Sequence, residues 1–313
     1  MNYKLQLEAF PSGDGKSTVA ARIYVPRDKE IKGVLQIAHG MKDHVERYEV
    51  LAEALTKEGY VVAGNDHIGH GRTAKDKSDL GFFAEKDSVD IILHDLHTMN
   101  KILRNKFPSF TPVILGHSMG SFLSRLYVNK YPHTVSGHVI HGTGGPMGII
   151  LPLGKALVNT VMLFKGKRGY SKLIANMAFM GYNSKFPKSE GECAWLTRDT
   201  ERVNGSDRNE YTTFPFTVSA YRDLFQMVGL SNSKKWFDSY PKDIPTLVMS
   251  GDMDPVGNYG KGPSYVYKHL LMSGTSSVTL KLYEGARHEL FNEINREEAL
   301  SDMLAWCEGV IAK

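Results

Sequence analysis

Residues 113–128, VILGHSMGSFLSRLYV, restrict the fold more than any other stretch of this sequence. An apolar run typical of a buried strand ends at Gly116, and an apolar pattern with helical spacing begins almost at once. Ser118 stands at the corner, with Gly116 and Gly120 two positions away on either side. Because a strand and a helix joined by so short a turn come very close, only small residues fit there. The stretch predicts a strand–turn–helix elbow that presents the Ser118 hydroxyl at a sheet edge.

Short β-branched runs alternate with longer helical patterns along much of the remaining chain. Two N-terminal strands joined by a Gly-rich turn precede this alternation, which predicts an α/β fold whose mostly parallel central sheet has helices on both faces. The predicted strands are 3–9, 18–25, 33–38, 60–65, 112–117, 136–141, 245–250 and 277–283. The predicted helices lie near 46–58, 86–106, 119–131, 258–273 and 296–312.

The interval from 146 to 240 breaks this alternation. It is too long for a single loop, and its pattern is typical of several helices with irregular links. We therefore predict an α/β core made of residues 1–145 and 241–313. Residues 146–240 are predicted to form a helical insertion between two strands of the sheet.

Composition excludes several other classes of protein. The net charge of +4 is small, and no basic stripe with aromatic residues supports a nucleic-acid partner. The two cysteines, Cys193 and Cys307, are far apart, which argues against a disulfide framework and a cysteine metal site. The N-terminus alternates like a strand, and the weakly charged stretch 136–164 is broken by prolines and glycines. We expect a cytoplasmic protein without a membrane span; no pattern indicates an oligomeric state.

A serine hydroxyl is a weak nucleophile at neutral pH and needs a base, which in turn needs an orienting acid. The loop after strand 245–250 contains Asp254, and the loop after strand 277–283 contains His288. Both loops leave the same carboxyl edge of the sheet as Ser118. Asp254 and His288 are therefore the predicted acid and base. Asp252 is the alternative acid, although its short side chain also suits a turn-capping role.

Two backbone N–H groups are the candidates for stabilising an oxyanion. One belongs to Met119, which follows the predicted nucleophile, and the other to Met41, in the loop after strand 33–38. Gly40 allows this loop to turn, and His39 is predicted to brace it rather than to take part in catalysis.

Six segments together resemble the α/β-hydrolase superfamily, in particular its monoacylglycerol lipase and lysophospholipase branch of serine aminopeptidase-type hydrolases. They are HGMKDHVERY (39–48), NDHIGHGRT (65–73), GHSMGS (116–121), WLTRD (195–199), GDMDPVG (251–257) and EGARHEL (284–290). The resemblance covers nearly the whole chain in order. It implies a cofactor-free serine ester hydrolase acting on monoacylglycerols or lysophospholipids through an acyl-enzyme, with Ser118, Asp254 and His288 as the triad.

The resemblance also implies that Met41 and Met119 supply the oxyanion donors. It further implies that residues 1–145 and 241–313 form an α/β-hydrolase core and that residues 146–240 form a cap, or lid, over the site. The chain departs from the animal monoacylglycerol lipases at two positions. Met41 stands where they have a smaller residue, and Asp43 where they have glutamate. These departures leave a backbone donor unchanged but alter the shape of the acyl pocket.

Other functions remain compatible with these patterns. The same triad serves small-ester carboxylesterases, peptidases and acyltransferases, and the fold also occurs in non-catalytic binding proteins. A metal-dependent hydrolase is a further alternative, because one loop-rich region contains potential ligands. These ligands are His39, His44, Asp66, His67 and His70. The paired His-x-His typical of metal-dependent ester hydrolases is missing there.

Charge is unevenly distributed along the predicted cap. Seven basic residues and no acidic residue lie between Pro146 and Ser189, next to the apolar stretch 147–164. Basic groups near a membrane surface contribute about 1 kcal/mol each, and each buried methylene of an acyl chain about 0.8 kcal/mol. The pattern predicts a lipid or ester substrate with a medium-length acyl chain and peripheral contact between the cap and anionic membranes.

Overall fold

A computed structural model of the protein describes residues 1–205 and 207–311. All eight predicted strands are present, with ends that differ by two residues at most. They are β1 (Tyr3–Pro11), β2 (Thr18–Pro26), β3 (Gly33–Ala38), β4 (Tyr60–Asn65), β5 (Val113–His117), β6 (Gly137–His141), β7 (Thr246–Gly251) and β8 (Val278–Tyr283).

The strands form one twisted sheet in the order β1-β2-β4-β3-β5-β6-β7-β8. β2 pairs antiparallel with both β1 and β4, and the remaining neighbours are parallel. Parallel neighbours require crossover connections, which explains the helical patterns between them. The α/β architecture with a mostly parallel sheet is therefore confirmed. β5 lies in the middle of the sheet, so its carboxyl end opens at the centre of one edge.

Among the described residues, ten α-helices connect or flank these strands. They are α1 (Glu49–Lys57), α2 (Ser88–Lys106), α3 (Met119–Lys130), α4 (Ile150–Lys165), α5 (Lys172–Ala178), α6 (Thr200–Asn204), α7 (Val218–Ser231), α8 (Lys234–Ser239), α9 (Lys261–Met272) and α10 (Arg296–Ile311). Short 3₁₀ turns cover Val45–Tyr48, Gly71–Thr73, Lys77–Asp79, Pro132–Thr134, Lys188–Glu190 and Leu290–Asn292. The five predicted helices correspond to α1, α2, α3, α9 and α10; position 312 lies outside the described residues.

Apolar cores lie on both faces of the sheet. On one face α2, α3 and α9 pack against the sheet through residues such as Leu96, Leu123 and Leu270. On the other face α1 and α10 pack through residues such as Leu51 and Met303. The central strands β3 to β7 are buried along their whole length because both of their faces are covered.

The segment between β6 and β7 contains α4 to α8. Part of it joins the main core, where Phe214, Phe216 and Met227 are buried. Other apolar side chains of this segment are exposed, and Phe164 retains 85% of its accessible surface. Within the described residues, none of the helices has both the length and the apolar character needed to span a bilayer.

Arg125 ties this segment to α3. Its guanidinium is fully buried, donates to the Ser231 carbonyl and to Asn232 Oδ1 (3.2 Å), and lies 4.4 Å from the Trp236 ring centroid. Burial lowers the pKa of Arg125 to about 9. The helix that begins beside Ser118 is thereby fixed to α7 and α8.

Candidate active site

The predicted elbow is present between β5 and α3. Ser118 adopts φ 53° and ψ −119°, a region that residues with a side chain rarely occupy. A β-carbon at Gly116 would overlap Ser124 Oγ and the Gly120 carbonyl, and one at Gly120 would overlap the Ala38 carbonyl. The two glycines are therefore required by close backbone approach.

Hydrogen bonds hold the strained serine backbone. Ser118 N donates to the His141 carbonyl (3.0 Å), and the Ser118 carbonyl accepts from Ser121 N (2.8 Å) and Ser121 Oγ (2.6 Å). Ser121 Oγ is also 2.8 Å from Thr143 Oγ1. His141 belongs to β6 and Thr143 to the loop after it. The position of Ser118 therefore depends on the neighbouring strand as well as on its own turn.

Asp254 and His288 meet across the ends of β7 and β8. His288 Nδ1 lies 2.9 Å from Asp254 Oδ2, and both side chains are buried. Asp254 Oδ1 accepts from Val256 N (2.8 Å), and Ser250 Oγ donates to Oδ2 (3.2 Å). These bonds fix the orientation of the carboxylate, so its Oδ2 atom is aimed at the imidazole.

Three neighbours define the orientation of the His288 ring. The rings of His117 and Trp195 lie 4.7 and 5.1 Å away, and a β-carbon at Gly142 would lie 3.1 Å from His288 Cε1. His288 Nε2 has no hydrogen-bond partner among the described residues, so it is not bonded to Ser118 here. Both side chains nevertheless line the same cavity. Hydrogen bonds of this kind are often open in ligand-free sites and close around a substrate.

Asp252 has a different environment. Its Oδ1 atom accepts a hydrogen bond from Gly285 N (2.8 Å), which connects the turns after β7 and β8. This geometry gives Asp252 a turn-capping role, whereas Asp254 carries the bond to His288.

The backbone N–H groups of Met41 and Met119 donate to no acceptor within the part of the chain that the structure describes. Met119 is the first residue of α3, where an N–H has no intrahelical acceptor and the helix dipole is positive. Gly40 lies beside the elbow, since a β-carbon there would be 3.2 Å from Ser118 Cβ. Both predicted donors thus flank the serine with their N–H groups free.

Asp43 and Arg47 fix the loop that carries Met41. Asp43 accepts hydrogen bonds from Gly40 N (3.1 Å), Tyr48 Oη (2.7 Å) and Arg47 Nη1 (3.0 Å). Burial alone would raise the pKa of Asp43, but the Arg47 charge and these donors hold that pKa well below its usual range. Arg47 also pairs with Glu289 (2.8 Å) and so joins this loop to the one that carries His288.

Two of the alternative metal ligands, His39 and Asp66, accept backbone hydrogen bonds. His39 Nε2 accepts from His67 N (2.9 Å), and Asp66 accepts from Val45 N (2.9 Å) and Arg72 N (2.8 Å). Burial lowers the pKa of His67 to about 3. Within residues 1–205 and 207–311, no three His, Cys, Asp or Glu side chains are grouped as metal ligands would be.

The cavity above Ser118 has a volume of about 1210 Å³. Much of its apolar lining comes from α3, from α4 and the residues before it, and from α7. These side chains are Phe122, Met147, Ile150, Leu224, Phe225 and Val228. The segment between α5 and α6 adds Phe179, Tyr182, Trp195 and Leu196. Polar lining comes from the loop after β3, from residues between α5 and α7 and from the start of α9. Those side chains include Lys42, Arg47, Asn183, Glu192, Arg208, Thr212 and Lys261.

A family model of serine hydrolases, Hydrolase_4 (serine aminopeptidase, S33), matches residues 29–295. The chain belongs to this S33 family. Its fold and its relatives place it among the α/β hydrolases, in the branch that includes the monoacylglycerol lipases, as the sequence predicted.

Two relatives match the chain over most of its length. This chain is 25% identical over 308 residues to monoacylglycerol lipase of Mycolicibacterium smegmatis, with 94% of each protein covered. It is 26% identical over 287 residues to monoglyceride lipase of Rattus norvegicus, covering 90% of this chain and 84% of the rat enzyme. These relationships support a lipase-type hydrolase function for the chain.

Solved structures agree with this assignment. A thermostable carboxyl esterase from Bacillus coagulans, determined with glycerol, aligns with a TM-score of 0.89 at 29% identity, covering 98% of this chain and 99% of the esterase. A monoglyceride lipase variant from Saccharomyces cerevisiae shares the fold with a TM-score of 0.75 at 18% identity, over 99% of this chain and 96% of the yeast chain.

Sequence reasoning did not identify several residues around the site. Ser250 and His117 contact the acid and the base, and Arg47 joins two loops of the site. The available signal for Ser250 was its position near the end of β7, four residues before Asp254. Arg47 and Glu289 are 242 positions apart, so no local pattern indicates their contact.

Proposed function

We propose that this protein is a serine ester hydrolase that cleaves monoacyl lipids, monoacylglycerols or lysophospholipids, through an acyl-enzyme intermediate. The observation that carries this proposal is the buried Asp254–His288 pair at 2.9 Å, facing the cavity that Ser118 also lines. The relatives named as lipases support the lipid substrate.

The proposed reaction has two halves. Ser118 Oγ attacks the ester carbonyl carbon while His288 Nε2 takes the hydroxyl proton, and Asp254 stabilises the resulting imidazolium. The bond to the alcohol oxygen then breaks, and His288 returns its proton to that oxygen. Water attacks the acyl-enzyme by the same sequence and releases the fatty acid and the free serine. Met41 and Met119 N–H groups stabilise the negative oxygen in both halves.

Residues 146–240 act in this proposal as a cap over the site. The apolar lining from α4 and α7 suits an acyl chain, because burial of each methylene contributes about 0.8 kcal/mol. The polar lining suits the alcohol part of the substrate.

The test of this proposal is a hydrolysis panel of 1-monoacylglycerols, lysophospholipids, p-nitrophenyl esters and aminoacyl amides, compared by kcat/KM. We expect kcat/KM for esters to rise from acetyl to medium chains by up to about fourfold per methylene. A flat or falling profile would indicate a small-ester esterase, and preferred amide cleavage would indicate a peptidase.

A matched pair on α7 checks where the acyl chain binds. Leu224 lines the cavity, whereas Leu230 is 45% exposed on the same helix. Leu224→Trp should shorten the preferred chain and leave acetyl ester turnover unchanged, while Leu230→Trp should alter neither. If both variants keep the wild-type chain-length profile, the acyl chain does not lie along this wall.

We further propose that α4 and the turn after it contact anionic membranes. Leu163 and Phe164 are 84% and 85% exposed, and the neighbouring Lys165 is exposed as well. The adjoining cations have other partners: Arg168 pairs with Asp79 (3.2 Å), and Lys167 with Glu85 (3.5 Å). Those two pairs link the inserted segment to the core. Lys165 Nζ donates to the Tyr170 carbonyl (2.9 Å) and forms no ion pair among the described residues, so its charge is available at the surface.

The double variant Phe164→Ser, Lys165→Glu should weaken sedimentation with anionic vesicles by roughly tenfold or more at low salt, since both apolar insertion and charge attraction are lost. Turnover of a water-soluble ester should be unchanged. Leu7→Ser is the control, because Leu7 is 71% exposed on β1, far from α4 in the chain. Equal vesicle binding by the wild type and the double variant would refute membrane contact through α4.

A further inference from the structure

Lys42 has two unfavourable features in the loop that carries Met41. Its backbone has a φ of 53°, a left-handed conformation that costs a residue with a side chain of order 1 kcal/mol. Its side chain is half-buried and lines the cavity above Ser118. A glycine at this position would avoid the first cost, and a neutral side chain would avoid desolvating a charge.

The Lys42 ammonium lacks an anionic partner. Among the described residues no carboxylate oxygen lies within 4 Å of its Nζ atom, and its nearest charge-stabilising contact is the Phe179 ring, 5.7 Å from Nζ. Burial lowers the pKa of Lys42. Arg47, five positions later, differs: it pairs with Asp43, Asp207 and Glu289.

The neighbours of Lys42 place it on the side of the cavity next to His288. Phe179, which faces Nζ, lies 5.9 Å from the Trp195 ring, and Trp195 lies 5.1 Å from the His288 ring. In the proposed reaction His288 returns its proton to the leaving alcohol, so groups around its ring surround that alcohol. Lys42 is thus linked through two aromatic rings to His288, the group that returns the proton to the alcohol in the proposed reaction, and it lines the same cavity.

The charge around Lys42 favours an anion. Three carboxylates of the polar lining are already shared with Arg47, namely Asp43, Asp207 and Glu289. Arg208 is another cation of the lining, besides Arg47 and Lys261, and no carboxylate of the described residues lies within 4 Å of it. Glu192, which is exposed, is the one lining carboxylate of the described residues outside the Arg47 cluster.

We propose that Lys42, assisted by Arg208, binds a phosphate group on the leaving alcohol, so the enzyme prefers monoacyl glycerophospholipids over neutral monoacylglycerols. This inference rests on the proposed ester hydrolase function. A phosphate would supply the missing partner of the Lys42 ammonium, and binding would offset the costs of its conformation and burial.

The test compares 1-hexanoyl lysophosphatidate with 1-hexanoylglycerol, both below the concentration at which they form micelles, so that no lipid surface is present. In the wild type kcat/KM should favour the phosphorylated ester. Lys42→Gln should lower the ratio of the two kcat/KM values by about tenfold to hundredfold, since a charge-assisted contact is lost. Lys42→Arg should retain most of the preference.

Lys261→Gln is the matched control, because Lys261 is an exposed lysine of the same cavity lining at the start of α9. It should leave the ratio unchanged. Lys42→Gly should also lose the preference but unfold at a higher temperature, since glycine adopts the left-handed backbone without strain. If Lys42 had only a structural role, Lys42→Gly would instead unfold at a lower temperature than the wild type.

Binding of glycerol 3-phosphate to Ser118→Ala, measured by calorimetry, separates this inference from the proposed reaction. The inference requires binding that Lys42→Gln weakens and Lys261→Gln does not. If neither hexanoyl ester is cleaved while this binding pattern holds, the proposed function fails and the anion site stands. If the neutral ester is cleaved but neither the ratio nor the binding depends on Lys42, the inference alone is wrong.

Discussion

Ser118→Ala should lower kcat for ester hydrolysis by about 10⁴-fold or more and abolish labelling by a fluorophosphonate probe. The proposed reaction forms its covalent bond at Ser118 Oγ, and no other hydroxyl at the elbow can replace it. Ser121 Oγ is engaged with the Ser118 carbonyl and with Thr143 Oγ1. The remaining activity would come from the oxyanion donors and from substrate binding alone.

The fold should tolerate the Ser118→Ala change, because the backbone bonds of this residue do not involve its hydroxyl. Ser136→Ala is the control, since Ser136 precedes β6 and lies at the opposite edge of the sheet. It should keep full activity and labelling. Persistent labelling of Ser118→Ala would show that another residue is the nucleophile.

Asp254→Asn should lower kcat by roughly 10⁴-fold while KM changes little. The Val256 N–H donates to the Oδ1 atom of Asp254, so it would hold the amide oxygen of the asparagine in that place. The amide nitrogen would then take the Oδ2 position and donate to His288 Nδ1. The imidazole then carries its proton on Nε2, so Nε2 cannot accept the proton of the Ser118 hydroxyl.

Asp252→Asn is the matched control two residues earlier. Asparagine can still accept the hydrogen bond from Gly285 N, although more weakly than a carboxylate does. We expect a loss of about 1 kcal/mol in the free energy of unfolding and nearly full kcat. Measurement of kcat and urea unfolding for both variants decides between the aspartates. A large loss of kcat in Asp252→Asn with active Asp254→Asn would make Asp252 the acid.

Much of the fold was predictable because its signals are local. The buried strands β3 to β7 have continuous apolar runs, and helices such as α2 and α3 show one apolar face. The elbow was predictable for the same reason, since Gly116 and Gly120 lie within two residues of Ser118. The predicted start of α9 was less accurate. The prediction began at 258, but Asn258 and Tyr259 have left-handed φ values and lie before the helix, which begins at Lys261.

The inserted segment was predictable only in outline. Its length and apolar content indicated helices, and five are present, but the pattern could not show which faces are covered. Phe216 and Met227 are buried in the main core, whereas Met180 is 77% exposed. Lys167 and Arg168 belong to a basic run in the sequence, yet both form ion pairs with carboxylates more than eighty positions earlier.

The loops that carry the candidate site residues were predictable from the sequence alone. Turns after predicted strands place Ser118, Asp254 and His288 at one edge of a parallel sheet, because the carboxyl ends of parallel strands lie on the same side. The sequence favoured Asp254 over Asp252, and their different contacts in the structure are what separate the two. This conclusion requires neither the order of the strands in the sheet nor any knowledge of side-chain contacts.

Only the tertiary structure decided how these residues are supported and what faces them. The contact between Arg47 and Glu289 joins positions 242 residues apart, and Lys42 meets Phe179 of the inserted segment. Local periodicity carries no information about such partners, because they are brought together by the packing of whole elements. The charge balance around Lys42 depends on those long-range contacts, and so does the proposed preference for a phosphorylated alcohol.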